Sequence, residues 1–184
     1  MFQAQVPLVF CASHNEAEQA QADTTICLVD SLDQEKTGTT MVAPLPRKDE
    51  TTARVYLAIL ESLQSLVSSM RAGSSLLLSC EDGIYRSPAL AMGLRSYLYE
   101  GDCDLAVATQ VAQRPQAQPS SVIAQIADGY FGFDGALVKS VKDYLATGLA
   151  VSSTGESFWH DPAGIGEDPE AAKFKEDWLA ESDN

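Results

Sequence analysis

The stretch Ser79-Cys80-Glu81-Asp82-Gly83-Ile84-Tyr85-Arg86-Ser87-Pro88 places a cysteine and an arginine six positions apart, with a glycine between them. A loop of this spacing can wrap round an anion, with its backbone N–H groups pointing inward and the Arg86 guanidinium gripping two oxygens. The Cys80 sulfur then lies in line behind phosphorus. Converging amides, a guanidinium and a following helix N-terminus all favour its thiolate. The stretch therefore predicts phosphoryl transfer to sulfur.

The flanking residues predict a strand before this loop and a helix after it. Residues 74–79 form a short apolar run, and residues 89–98 are apolar enough for a buried helix. Pro88 suits the first turn of that helix, where its missing N–H costs nothing. Gly83 allows close approach of the backbone to an anion, and it allows a positive φ. A strand, turn and helix in this order place the anion at the carboxyl end of a sheet.

The alternative is that Cys80 is a buried packing thiol and Arg86 a surface cation at a chance spacing. The apolar strand, the internal glycine, the Ser87-Pro88 pair and the helix together favour the functional interpretation.

On these residues the chain resembles the protein tyrosine phosphatase superfamily, and within it the small dual-specificity phosphatases, over residues 24–131. The loop from Cys80 to Ser87 matches the C-x-x-G-x-x-R-S pattern of that family. The family's A-x(4)-V-x-x-x-R-P segment is similar to a second set of residues downstream, although this chain has one residue fewer between the valine and the arginine; they are Ala106, Val111, Arg114, Pro115 and Pro119.

The resemblance implies a role for each matching residue. Cys80 would be the nucleophile, Arg86 would bind phosphate, Ser87 would assist departure of the thiolate, and Asp49 would be the general acid. The substrate-binding loop would comprise Glu81, Asp82, Gly83, Ile84, Tyr85 and Arg86. No metal or cofactor is implied.

Other residues compete for the acid role. Asp49 can also serve as N-cap donor of a following helix, a role compatible with catalysis. Asp30, Asp33 and Glu50 are rival acids, although the first two follow a strand and suit turn amides. His14 and His160 lack metal spacing, and we expect both in turns or at the surface.

Three departures from the family pattern affect the expected activity. Ser79 replaces the family's histidine, Asp82 replaces a small residue, and Asp49 follows Pro46-Arg47-Lys48 rather than a tryptophan-proline-aspartate loop. The alternative function is therefore a non-catalytic phosphate-binding module. A weaker one is a relative of rhodanese or arsenate reductase.

The resemblance implies a phosphotyrosine or phosphoserine/threonine protein, or a small phosphomonoester, as substrate. Inositol phosphates are disfavoured because Glu81 and Asp82 stand where lysines would bind extra phosphates. A net charge of −14 and a pI of 4.3 give no electrostatic footprint for nucleic acid or an anionic membrane. The N-terminus predicts no signal peptide. We expect a cytoplasmic monomer with reduced cysteines.

The overall pattern predicts an α/β domain over residues 1–150, with a central, mostly parallel sheet flanked by helices. We expect strands over 6–11, 24–29, 40–45 and 74–79, and helices over 51–70, 88–99, 103–113 and 120–145.

Residues 151–184 have a different composition from the rest of the chain. Nine acidic and two basic residues give this segment a net charge of −7, half that of the whole chain. A short helix is expected here, with one apolar face formed by Ala171, Phe174, Trp178 and Leu179. We interpret it as an acidic appendage packed on the domain. The alternative is a tail that binds a partner or guides substrate.

Overall fold

The computed structural model describes residues 6–29, 40–44 and 51–147. The strands in these ranges are β1 (Leu8–Ser13), β2 (Thr24–Val29), β3 (Thr40–Pro44) and β4 (Ser75–Cys80). The helices are α1 (His14–Ala17), α2 (Thr51–Ser69), α3 (Arg86–Leu98), α4 (Cys103–Gln113), α5 (Ser121–Phe131) and α6 (Ala136–Ala146).

The four described strands form one sheet in the order β1-β4-β2-β3, and every pair is parallel. The last strand in sequence, β4, is therefore inserted between β1 and β2. Its residues Leu76, Leu77 and Leu78 are all buried, as expected for a central parallel strand covered on both faces. The register pairs Ser13 at the end of β1 with Cys80 at the end of β4.

Helix α3 lies at the centre of the helical layer. Every residue from Ser87 to Ser96 is buried, and the helix packs against β1, β4, α4 and α5. A Cβ added at Gly93 would lie 2.6 Å from the Cβ of Ala127 on α5. The glycine thus lets α3 and α5 approach each other closely.

The expected α/β class, with a parallel sheet flanked by helices, is confirmed. The single helix expected over 120–145 is wrong, because the chain forms α5 and α6 instead. Gly132 and Gly135 separate them, with φ of 71° and 86°. The buried Asp128 carboxylate accepts hydrogen bonds from the N–H groups that begin α6, at Gly135 (2.7 Å), Leu137 (2.8 Å) and Val138 (3.1 Å).

Several predicted features lie outside the described residues. They are Asp49 and its rivals Asp30, Asp33 and Glu50, together with His160 and the whole of residues 151–184. Within the described ranges, no helix is long and apolar enough to cross a membrane.

Candidate active site

Cys80 is the last residue of the central strand, and it is only 2% exposed. Its Sγ lies 3.2 Å from Oγ of Ser87, which is fully buried in the first turn of α3. The Ser87 hydroxyl also lies 3.5 Å from the carbonyl oxygen of Ala12. This hydroxyl has one proton and two possible acceptors. It can donate to the Ala12 carbonyl when Cys80 is a neutral thiol, and to the sulfur when Cys80 is a thiolate.

The loop between Cys80 and α3 turns three of its carbonyl groups toward residues 114–120, which follow α4. The donors to these carbonyls are Arg114 Nη2 to Asp82 O (3.2 Å), Gln118 N to Ile84 O (2.9 Å) and Ser120 N to Tyr85 O (3.1 Å). A trans peptide points its N–H away from its C=O. The N–H groups of residues 83, 85 and 86 are therefore directed to the opposite side of the loop, where they could donate hydrogen bonds to an anion.

The N-terminus of α3 adds to this arrangement. Arg86 is its first residue and is half-buried, and the N-cap residue Tyr85 supplies no side-chain hydrogen bond to the first turn. N–H groups at a helix start, aligned with the positive end of the helix dipole, form a ready anion site. Sequence therefore brings the cysteine, the loop amides and this helix start together.

The remaining loop residues differ in exposure. Glu81 and Asp82 are exposed, Ile84 and Tyr85 are half-buried, and Gly83 is buried. Gly83 has a φ of +66°, and an added Cβ would lie 2.3 Å from the backbone nitrogen of Ser13. The glycine is thus required both for its backbone conformation and for contact with the end of β1.

Two contacts beside this loop were missed by sequence reasoning. His14 Nδ1 lies 3.2 Å from Oγ of Ser79, so His14 is not a simple surface residue. Glu16 pairs with Arg114 at 2.9 Å, and Arg114 in turn donates to the carbonyl of Asp82. The Ser13-x-x-Glu16 spacing is a capping-box signature that could have revealed the short helix α1.

The Glu16 carboxylate is held in its charged form. Hydrogen bonds from the backbone N–H and the hydroxyl of Ser13, together with the Arg114 guanidinium, lower the pKa of Glu16 below its ordinary value. Partial desolvation raises this pKa but does not cancel the effect. This places an ion pair beside the loop at neutral pH.

The described residues contain no group of three or more His, Cys, Asp and Glu side chains placed to hold a metal ion. What they do combine is a buried sulfur, a hydroxyl in contact with it, and N–H groups directed to one side of a tight loop. Such a site can bind a tetrahedral oxyanion and present a nucleophile to its central atom.

Comparison with solved structures gives the fold a family context. Human DUSP28 aligns with a TM-score of 0.50 at 18% identity, covering 70% of this chain and 94% of that one. A single-residue variant of human DUSP28 aligns with a TM-score of 0.51 at 18% identity, covering 70% and 92%. Tk-PTP in its active form aligns with a TM-score of 0.49 at 15% identity, covering 72% and 99%.

No protein-family model matches the sequence, and no curated protein matches it. The expected fold, that of a small dual-specificity phosphatase, is confirmed by the structural likeness.

Proposed function

We propose that this chain, which has the fold of the small dual-specificity phosphatases, hydrolyses phosphomonoesters through a phosphocysteine at Cys80. The observation that carries the proposal is the position of Cys80. It ends the central strand at the base of the tight loop, and its sulfur lies 3.2 Å from the Ser87 hydroxyl. A packing cysteine needs neither that hydroxyl nor a loop with its carbonyl groups turned outward.

The proposed reaction has two steps. The Cys80 thiolate attacks phosphorus, the bond to the leaving oxygen breaks, and Asp49 protonates that oxygen. Water then attacks phosphorus and gives a proton to Asp49, and the P–S bond breaks to release phosphate and thiolate. Ser87 donates to sulfur as its negative charge returns, and Arg86 with the loop amides binds the phosphoryl oxygens in both steps.

The assignment of the acid depends on sequence position alone, because Asp49 lies outside the described residues. An acid is needed most for a poor leaving group. Asp49→Asn should therefore slow an alkyl phosphate far more than a nitrophenyl ester. Equal slowing of the two would move the role to Asp33 or Glu50.

The proposed substrate is a phosphotyrosine or phosphoserine/threonine protein. Glu81 and Asp82 are exposed at the loop, so they would repel neighbouring phosphates on a polyphosphorylated ligand. A phosphomonoester with few other negative charges suits this rim better than an inositol polyphosphate does.

Turnover of para-nitrophenyl phosphate tests the proposal. Cys80→Ser should abolish turnover while leaving tungstate binding in place, because the loop amides and Arg86 remain while the nucleophile is lost. The matched control is Cys103→Ser, which alters a second buried cysteine on α4 and should retain turnover. A Cys80→Ser enzyme working near the wild-type rate would exclude the mechanism.

The acidic rim also favours a second candidate, a phosphate-binding module without catalysis. Asp82 stands in the loop where the resemblance implies a small residue, and it is exposed beside a second acid, Glu81. Tungstate binding by the wild-type protein without any turnover would establish this second function.

A further inference from the structure

The junction of β1 and α1 lies beside Cys80 and the loop that follows it. We call residues 12–16 the β1–α1 junction and residues 81–86 the phosphate loop. Ser13 pairs with Cys80 in the sheet register, so the junction lies at the same edge of the sheet as the proposed nucleophile. His14 contacts Ser79, the residue before Cys80, and Glu16 reaches the phosphate loop through Arg114.

The first contact runs from Glu16 through Arg114 to the loop backbone. The N–H and hydroxyl of Ser13 donate to Glu16 at 2.7 and 2.8 Å, which fixes the carboxylate. Glu16 then pairs with Nη1 of Arg114 at 2.9 Å, and Nη2 donates to the carbonyl of Asp82 at 3.2 Å. The Arg114 side chain is 10% exposed and that of Glu16 is 53% exposed, so solvent reaches the ion pair mainly from the Glu16 side.

The second contact runs from His14 to the residue preceding Cys80. Ser79 is fully buried, and its hydroxyl donates to Sγ of Cys27 at 3.1 Å. With the Ser79 proton directed to Cys27, Ser79 Oγ is left as an acceptor, and this arrangement corresponds to the His14 tautomer that carries its hydrogen on Nδ1. His14 thus holds the hydroxyl of Ser79, next to the nucleophile, from a position 65 residues away in sequence.

A close approach of backbone to backbone follows the Asp82 contact along the loop. The loop at Gly83 lies against Ala12 and Ser13, where an added Cβ would be within 2.4 Å of the Ala12 carbonyl carbon. The chain is therefore contacted by His14 before the cysteine, by Glu16 through Arg114 at Asp82, and by direct packing at Gly83.

We propose that Glu16 and His14 are positioning residues that hold the phosphate loop in its anion-binding shape. The proposal rests on the proposed function only for its kinetic readout, since the loop's shape also governs anion affinity. Neither residue is assigned contact with the substrate. Each acts through another side chain, Glu16 through Arg114 and His14 through Ser79.

A double-mutant cycle tests the Glu16 contact, with kcat/KM for para-nitrophenyl phosphate and tungstate affinity as readouts. Glu16→Ala and Arg114→Ala should each lower both by about 10- to 100-fold, since small displacements of a catalytic loop are costly. If Glu16 acts through Arg114, the double variant should lie within about twofold of Arg114→Ala alone. Losses that multiply would overturn the relay.

Folding must be separated from positioning in this cycle. Thermal unfolding of each variant reports stability, and Arg114→Lys replaces Arg114→Ala if the latter does not fold. A lysine ammonium cannot hold Glu16 and the Asp82 carbonyl as the guanidinium fork does, so Glu16→Ala should cost less in that background. An equal cost in both backgrounds would contradict the relay.

The His14 contact is tested by rescue. His14→Leu should lower kcat/KM and tungstate affinity by about tenfold or more. His14→Asn should recover most of the loss, because the amide nitrogen can donate from nearly the position of Nδ1. Equal effects of leucine and asparagine, or no effect of either, would overturn this part of the proposal.

Two control variants match the kinds of interaction removed. Asp143→Ala deletes an exposed ion pair with Lys139 on α6, and Asp102→Ala deletes the N-cap of α4. Both should leave kinetics and tungstate affinity unchanged, even where stability falls. A loss equal to that of Glu16→Ala in either control would show that the effect is general destabilisation.

The two readouts distinguish this inference from the proposed function. Tungstate binding without turnover in the wild-type protein rejects the phosphatase, and tungstate affinity of the variants still decides the positioning role. Wild-type turnover with unchanged variants rejects the positioning role alone. A wild-type protein that neither binds tungstate nor turns over substrate would overturn both.

Discussion

Gly83 stands at a loop position where no side chain fits. An added Cβ would lie 2.3 Å from the Ser13 nitrogen and 2.4 Å from the Ala12 carbonyl carbon, both of them backbone atoms, and φ is +66°. Gly83→Ala should therefore force the loop away from β1 and lower kcat/KM for an aryl phosphate by at least about 100-fold.

Gly73→Ala is the matched control for Gly83→Ala. Gly73 has a φ of +82°, and an added Cβ would meet nothing within 4 Å. This variant should cost about 1–2 kcal/mol of stability through backbone strain while turnover stays normal. Wild-type kinetics in Gly83→Ala would show that the loop does not depend on this contact.

Cys11 gives a prediction on pH and stability. Burial raises the pKa of the Cys11 thiol from 9.0 to about 12, although Arg114, Arg95 and a hydrogen bond from Gln110 oppose the shift. A raised pKa means that the folded protein keeps the thiol neutral while the unfolded chain ionises it. The resulting stability is complete below pH 9.0 and is lost as the pH rises from there toward about 12.

The free energy of unfolding in urea, measured for wild type and Cys11→Ala, tests this directly. Above pH 9 the difference between the two proteins should shrink by about 1.4 kcal/mol per pH unit. Parallel curves from pH 7 to alkaline pH would show that Cys11 ionises equally in both states.

At the scale of elements, Asp128 joins α5 to α6. Its carboxylate accepts three N–H groups at the start of α6, at distances of 2.7 to 3.1 Å, and is buried. Asp128→Ala leaves these donors without their charged acceptor, so the free energy of unfolding should fall by about 3 kcal/mol. Asp143→Ala, which deletes an exposed ion pair on the same helix, should cost less than about 1 kcal/mol. Equal costs for the two variants would contradict the capping role.

The same region shows where sequence reasoning failed. One helix was expected over 120–145, and the chain forms α5 and α6 instead. The glycines at 132 and 135 were visible, but the stop depends on a positive φ at each and on Asp128 reaching forward to α6. By contrast, β4 and α3 were predicted well because their apolar runs are local and flank an unmistakable turn.

The contacts of the candidate site also fall into those that the sequence could predict and those that it could not. Cys80, Ser87 and Gly83 lie within one short stretch, so the sequence brings them together without knowledge of the fold. His14 and Ser79 are 65 residues apart and meet because the sheet places β1 beside β4, and Glu16 meets Arg114 because the end of α4 packs near the end of β1. Contacts of this kind depend on strand order, which no local pattern specifies.

At the scale of the whole molecule, the division at residue 151 is a prediction. Residues 151–184 carry half of the net charge of −14, and the proposed catalytic residues all precede them. Deletion of 151–184 should leave para-nitrophenyl phosphate turnover within about threefold, because an acidic appendage contributes mainly screened, long-range charge. Circular dichroism of the truncated protein provides the folding control. Loss of its helical signal would show that the segment belongs to the domain core.

The central claim is that phosphate passes through the sulfur of Cys80. Its most direct measurement is a denaturant quench of the wild-type enzyme during turnover of a radiolabelled aryl phosphate, followed by mapping of the labelled peptide. The account predicts a label on the peptide carrying Cys80, and no label in Cys80→Ser. Steady turnover with no label on that peptide, or with the label on another residue, would contradict it.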